Sequence, residues 1–320
     1  MRTLAFWMVL VISTGLFAQQ NAPMRPKITG IDHVDFYTTS PELNQKLYFN
    51  VLGLQSSSGS STPMEPGQIQ CFWVGRQWVG YSPAPDPKST NRLDHVAFGT
   101  ENAEALRAYL SSKGVAVPNT VTSSDQGFKS FVVKDPEGHQ IEFVERDRMR
   151  FRVGLDSPGL KDGTEKRSDP VSRRLIHAGF VVDDRAAEDR FFKEVLGFRP
   201  YWHGGMVPDR TDWVAMQVPD GTDWIEYMLN VKPNPDQHTL GVMNHISLGV
   251  KDMNTAQMKL ESHGWKPHGD EHSQIGRDGK LQLNVFDPDQ TRIELMEFTP
   301  VDKPCCSEFT GPHPSEEDKN

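Results

Sequence analysis

The sequence predicts an α+β fold built from four related units, each a short strand, a helix and several further strands. Three observations carry this. Four segments begin alike: Ile31-Asp-His33-Val-Asp-Phe36, Leu93-Asp-His95-Val-Ala-Phe98, Leu175-Ile-His177-Ala-Gly-Phe180 and Met243-Asn-His245-Ile-Ser-Leu248. Each opening histidine keeps a fixed distance to a downstream glycine, with His33 and His177 lying 20 residues before Gly53 and Gly197, and His95 and His245 lying 19 before Gly114 and Gly264. After each glycine come short runs rich in Val, Phe, Ile and Trp, broken by turn signals such as Asp135-Pro-Glu-Gly138, Pro219-Asp-Gly221 and Arg277-Asp-Gly279.

In chain order, Arg2 followed by the apolar stretch Leu4 to Phe17 reads as a signal peptide over residues 1–18, with Ala18 before the cleavage point. The protein is therefore expected in the periplasm or secreted, with no membrane contact after cleavage. The first two units occupy residues 28–146 and form the first domain; the charged stretch 147–172, with scattered Gly and Pro, is a linker; the last two units occupy 173–299. Helical periodicity over Asn102 to Lys113 and Asn254 to His263 ends at a glycine, as a helix with a C′ Gly does. Residues 300–320, with Cys305-Cys306 and Pro314-Ser-Glu-Glu-Asp, are expected to be a poorly packed tail.

Successive side chains of a strand point to opposite faces. One face of the histidine strands is apolar: Val34 and Phe36, Val96 and Phe98, Ala178 and Phe180, Ile246 and Leu248. The histidine's own face carries the small or polar Asp35, Ala97, Gly179 and Ser247, which leaves space around each imidazole. Carboxylates recur too. Asp135-Pro and Asp287-Pro are each followed seven residues after the Asp by a glutamate, Glu142 and Glu294. Trp224-Ile-Glu226-Tyr aligns with Trp78-Val-Gly80-Tyr, so Gly80 stands where Glu226 would and the first unit lacks a carboxylate there. The second half thus offers His177, Glu226, His245 and Glu294, and the first offers His33, His95 and Glu142. Imidazole and carboxylate ligands suit a divalent ion such as Zn, Ni, Fe, Mn or Co, and an incomplete set leaves positions open for substrate. On charge count, two carboxylates neutralise a dication, so the second half is expected to retain metal more tightly.

With these motifs the chain resembles the vicinal oxygen chelate superfamily, which includes glyoxalase I, fosfomycin-resistance proteins and extradiol dioxygenases. The resemblance spans about residues 28 to 298 and implies four βαβββ modules paired into two half-open sheet domains, each curled around a metal. It further implies that a metal chelates neighbouring oxygens of a small substrate and that a glutamate near the metal, Glu226 or Glu294, moves a proton, as in glyoxalase I-like lyase or isomerase chemistry. The alternatives are a non-heme Fe(II) dioxygenase and a non-catalytic small-molecule binding protein. In extradiol enzymes a Tyr stands three residues before the Asp-Pro, where this chain has Val132 and Asn284.

A net charge of −9 and the lack of a Lys/Arg block argue against a nucleic-acid partner. Exchange of modules between two chains would give a homodimer. Adjacent Cys305 and Cys306 are poorly placed to bridge each other, and a bond from one of them to Cys71 in an oxidising compartment is left open by the sequence. His263 is expected at a helix end and His139 in a turn, and His203 is a minor candidate for the lining of the second-half pocket.

Overall fold

The computed structural model describes residues 23–56, 69–124, 127–146, 169–268 and 271–317. The expected signal peptide and nearly all of the expected linker lie outside them. Two eight-stranded sheets dominate. In spatial order the first is β2 (Gln55–Ser56), β3 (Gln70–Val74), β4 (Gln77–Pro83), β1 (Ile28–Thr38), β5 (Leu93–Thr100), β8 (Gln140–Arg146), β7 (Phe128–Lys134) and β6 (Thr122–Ser123). The second is β10 (Arg199–Gly204), β11 (Trp213–Gln217), β12 (Trp224–Met228), β9 (Arg174–Val181), β13 (His245–Val250), β16 (Arg292–Glu297), β15 (Leu281–Phe286) and β14 (Gln274–Ile275). The fold is the α+β arrangement of repeated modules that the four histidine strands imply.

In the first sheet the central strands are β1 (Ile28–Thr38), β4 (Gln77–Pro83), β5 (Leu93–Thr100) and β8 (Gln140–Arg146). Strands β1 and β5 run antiparallel, and each pairs in parallel with the last strand of its own module. The second sheet repeats this with β9 (Arg174–Val181), β12 (Trp224–Met228), β13 (His245–Val250) and β16 (Arg292–Glu297). A parallel strand pair needs a crossover, and the module's helix supplies it. In the second and fourth modules that helix is Ala103–Ser112 and Met253–Ser262, capped at its start by the side chains of Asn102 and Asp252. It ends at Gly114 and Gly264, whose φ of 83° and 92° lies in the left-handed region that favours glycine. The first and third modules instead wind their last turns as π-helix, Lys46–Val51 and Asp189–Val195.

The convex faces bury the apolar alternates: Val34, Phe36, Val96, Phe98, Ala178, Phe180, Ile246 and Leu248 are at most 1% exposed. That fixes register, because a one-residue slip would send these side chains to the concave face and the histidines into the core. The two domains meet along a buried polar seam. Gln77 donates to the carbonyls of Ile31 and Leu175 and accepts from the Leu175 amide, while Ile31 donates its amide to Asp223.

Two expectations fail here. Residues 300–317 are a strap over the second sheet: Trp202 Nε1 donates to the Cys305 carbonyl, the Thr310 amide donates to the Tyr201 carbonyl, and Phe309 packs on Tyr201. A half-buried aromatic and backbone pairing hold the segment despite its lack of sequence periodicity. The disulfide joins the adjacent Cys305 and Cys306, and Cys71, on β3 (Gln70–Val74), is outside it. The tail is carried over β10 (Arg199–Gly204), so neither of its cysteines is directed to β3.

Candidate metal centres

Three of the central strands of the first sheet bring His33, His95 and Glu142 to one point on its concave face. The register explains why: on β1 and β5, His33 pairs with Ala97 and His95 with Asp35, while Ala97 pairs with Glu142 on β8. The small Ala97 leaves a gap into which the three longer side chains converge. His33 Nε2 lies 3.1 Å from His95 Nε2 and 3.1 Å from Glu142 Oε2, and His95 Nε2 lies 3.2 Å from that oxygen. Two ligands at right angles around a metal with bonds of about 2.1 Å stand about 3.0 Å apart, so this triangle fits one face of an octahedron.

The remaining ring nitrogens are fixed by carboxylates. His33 Nδ1 is 2.8 Å from Asp32 Oδ1, and His95 Nδ1 is 3.2 Å from Asp94 Oδ2. Such partners set the tautomer that aims Nε2 inward and raise its basicity. Asp32 is in turn held by Arg146, and the Trp78 ring stacks on His33 at 4.1 Å.

Electrostatics here call for positive charge. Burial disfavours both charged imidazoles, yet Asp35, Asp32 and Glu142 outweigh it and hold His33 at about 9, and Asp94, Glu142 and Asp35 hold His95 at about 10. Glu142 stays well below the usual carboxylate range despite burial, because both imidazoles donate to it. Asp35 goes the other way, pushed up mainly by burial. A site that traps two protons among carboxylates is one in which a dication can replace them.

Asp35 also corrects the expectation at Gly80. The first module does not lack a carboxylate at this corner. Asp35 and Gly80 are paired across β1 and β4, and a Cβ at Gly80 would collide with the Asp35 carboxylate, which occupies the space. Asp35 Oδ2 lies 3.9 Å from His95 Nε2. In the second domain the same pair is inverted, with Gly179 opposite Glu226. The signal was the double exchange Asp35/Gly80 for Gly179/Glu226, legible only once β1 is known to lie beside β4.

The second centre is looser. His177 and His245 place their Nε2 atoms 3.0 Å apart, and Glu226 Oε2 stands 3.4 Å from His245 and 4.0 Å from His177. Glu294 approaches His177 at 3.3 Å. Two cations missed in the sequence reading complete it. Arg292 Nη2 lies 2.9 Å from His245 Nε2, whose Nδ1 donates to the Met243 carbonyl, so the guanidinium donates to the lone pair a metal would need. Arg292 is also 3.7 Å from Glu294. Lys280 is fully buried, its Nζ 4.7 Å from the Trp224 ring and 5.3 Å from Phe309, and burial lowers it to about 8. His245 is pushed well down by burial, Arg292 and His177. Burial opposes ionisation of Glu294, but Arg292 and His177 prevail and hold it at about 2, while Glu226 is raised by burial. The two carboxylates counted for a dication in this half already face Arg292 and Lys280. Gln140 occupies the position of Arg292 in the first domain and donates to Asp94 instead.

Of the other histidines, His263 ends its helix and its Nδ1 donates to the Val51 carbonyl across the domain seam. His203 is exposed on β10 and its backbone pairs with the Ser307 hydroxyl, away from the second centre. His139 is in the turn after Asp135, as expected.

The profile of the Glyoxalase/Bleomycin resistance protein/Dioxygenase superfamily matches residues 30–143 and 174–295. Among solved structures, the chain is similar to a substrate complex of homoprotocatechuate 2,3-dioxygenase from Brevibacterium fuscum, with TM-score 0.57 and 20% identity over 91% of this chain and 84% of that one. The 2,3-dioxygenase LapB from Pseudomonas sp. KL28 gives TM-score 0.61 and 17% identity over 92% of this chain and 97% of that one. A Mn(II)-bound glyoxalase from Novosphingobium aromaticivorans gives 0.58 and 17%, over 85% and 83%. No curated protein matches in sequence.

Proposed function

The chain belongs to the Glyoxalase/Bleomycin resistance protein/Dioxygenase superfamily, and from that premise we propose that it is a metal-dependent enzyme whose first domain chelates adjacent oxygens of a small substrate and transfers a proton. The observation that carries this reading is the triangle of His33 Nε2, His95 Nε2 and Glu142 Oε2, with edges of 3.1, 3.1 and 3.2 Å. These three residues would hold the ion. A divalent metal bound there supplies Lewis-acid polarisation of two neighbouring substrate oxygens.

The chain's own groups do the rest. Asp32 and Asp94 keep both imidazoles in one tautomer, and Trp78 fixes the plane of His33. Asp35 is buried, and its Oδ1 lacks a hydrogen-bond partner among the described residues. Its carboxyl is raised by burial while Glu142 is lowered, and two carboxyl groups pushed apart in this way mark the base and the ligand. We assign to Asp35 Oδ2 the proton taken from the carbon beside the substrate's chelating oxygens. Glu226 holds the equivalent place in the second domain, so of the two glutamates expected there Glu226 has the character of a base and Glu294 that of an anchor.

A second reading, a non-heme dioxygenase, is favoured by the same two-histidine, one-carboxylate face. Two assays separate them. The Mn(II)- or Fe(II)-loaded protein is given α-hydroxy carbonyl compounds in D2O, with deuterium incorporation followed by NMR, and catechols with an oxygen electrode. Carbon-bound deuterium that disappears in Asp35→Asn supports proton transfer. Oxygen uptake with a catechol, and no exchange, would overturn it in favour of the dioxygenase.

A further inference from the structure

Outside the two centres, the Asp135-Pro turn of the first domain meets the helix Arg185–Glu188 of the second. We propose that Asp135, His139 and Glu188 form a further divalent-cation site that ties the two domains together. One ligand atom from each of the three lies within 4.8 Å of the others, and Asp135 and Glu188 are 5% and 0% exposed. His139 Nδ1 is 2.7 Å from Asp135 Oδ2, and the imidazole packs on Phe180 of the second domain at 4.9 Å. Asp135 Oδ1 is already used by the amides of Glu137 and His139, which holds the carboxylate in place.

A second, independent observation points to a ligand. Glu188 accepts from the Glu137 amide through Oε1 at 3.2 Å, but its Oε2 has no hydrogen-bond partner among the described residues, and neither has the buried hydroxyl of Tyr227. An unpaired buried carboxylate is costly unless a cation or a proton meets it. Burial and the charges of Asp135, Glu137 and Asp184 push the Glu188 carboxyl to about 8.

The matching contact on the other side of the molecule shows what this cluster lacks. There Tyr48, Tyr81 and Asp287 form a chain of hydrogen bonds, and the place of Glu188 is taken by Asn44, that of His139 by Thr291. On the His139 side Phe192 replaces Tyr48, so Tyr227 loses the hydroxyl partner that Tyr81 has, and an amide becomes a carboxylate. One nitrogen and two carboxylate oxygens suit zinc or manganese. A cavity of about 340 Å³ lies against the imidazole, lined by Lys134, Glu137, Gly138, His139 and Phe180.

The probe is Zn2+ added to metal-free full-length protein, with bound zinc counted by mass spectrometry after gel filtration. Glu188→Gln, close in shape, should hold one equivalent less than wild type, and His139→Asn likewise. His95→Ala should lose a different equivalent, and the double variant both, which separates this site from the proposed catalytic centre. In wild-type protein, zinc should slow carbethoxylation of His139 at least tenfold. Unchanged stoichiometry in Glu188→Gln, or an unchanged His139 modification rate at saturating zinc, would overturn the proposal. The wild-type protection measurement decides the matter if either variant fails to fold.

Discussion

Asp35 occupies the space above Gly80. The two residues face each other across parallel strands, and the carboxylate of one fills the volume that a side chain on the other would need. Gly179 and Glu226 are paired across the corresponding strands with the residue types exchanged, although there the His245 ring fills the space above the glycine. Each domain therefore brings one carboxylate to this corner of its centre, from opposite members of the same strand pair.

The exchange predicts a rescue. Gly80→Ala should destabilise the protein by about 1 to 3 kcal/mol through overpacking against Asp35. Adding Asp35→Gly should recover most of that loss, since it removes the carboxylate that the new methyl meets. Denaturant unfolding of the single and double variants measures the coupling, and strict additivity would show that the two positions do not share this space.

The carboxylates behind the imidazoles should matter almost as much as the ligands. Asp94→Asn leaves His95 in place but removes the negative charge beside Nδ1, and should weaken metal binding about 10- to 100-fold. Competition against a chelator of known affinity gives the number. No change would mean that Asp94 serves only Tyr37 and Gln140, to which it is also bonded.

Metal uptake should depend steeply on pH, because the ligand is the neutral imidazole. With His33 at about 9 and His95 at about 10, both carry protons at neutral pH in the metal-free protein. Each proton displaced makes apparent affinity fall about tenfold per pH unit as pH drops. The metal-free fold responds in the opposite direction. Both pKa values lie above the ordinary 6.5, so their stabilisation is fully present below that pH and is lost as pH rises through 9 to 10. Titration calorimetry in buffers of different ionisation heat counts the protons released; a count of zero contradicts the charge assignment.

Arg292 predicts how the second centre can be changed. Arg292→Gln, which copies Gln140 of the first domain, frees His245 Nε2 and should add a metal equivalent per chain. Inductively coupled plasma analysis of wild type and variant compares them directly. An unchanged metal content would show that the guanidinium is not what keeps metal from His245.

The parts that were legible in the sequence are those that alternation along a single strand reveals. His33, His95, His177 and His245 repeat with their apolar neighbours on the other face, and Glu142 and Glu294 follow their Asp-Pro turns at a fixed distance. Asp35 was read as a small polar neighbour because its role depends on which strand lies beside β1, a non-local fact. Arg292 carries no such signal, because an arginine two residues before Glu294 looks like a solvated strand residue, whereas here it reaches across to His245 on β13. Nor does any period in residues 300–317 announce that Phe309 covers Tyr201 and shelters Lys280.

Anomalous diffraction from crystals loaded with Mn(II) addresses the catalytic centre most directly. A manganese peak within about 2.0 to 2.2 Å of His33 Nε2, His95 Nε2 and Glu142 Oε2 is the expected result. A peak at His177, His245 and Glu294, with none in the first domain, would contradict it and move the active centre to the second sheet.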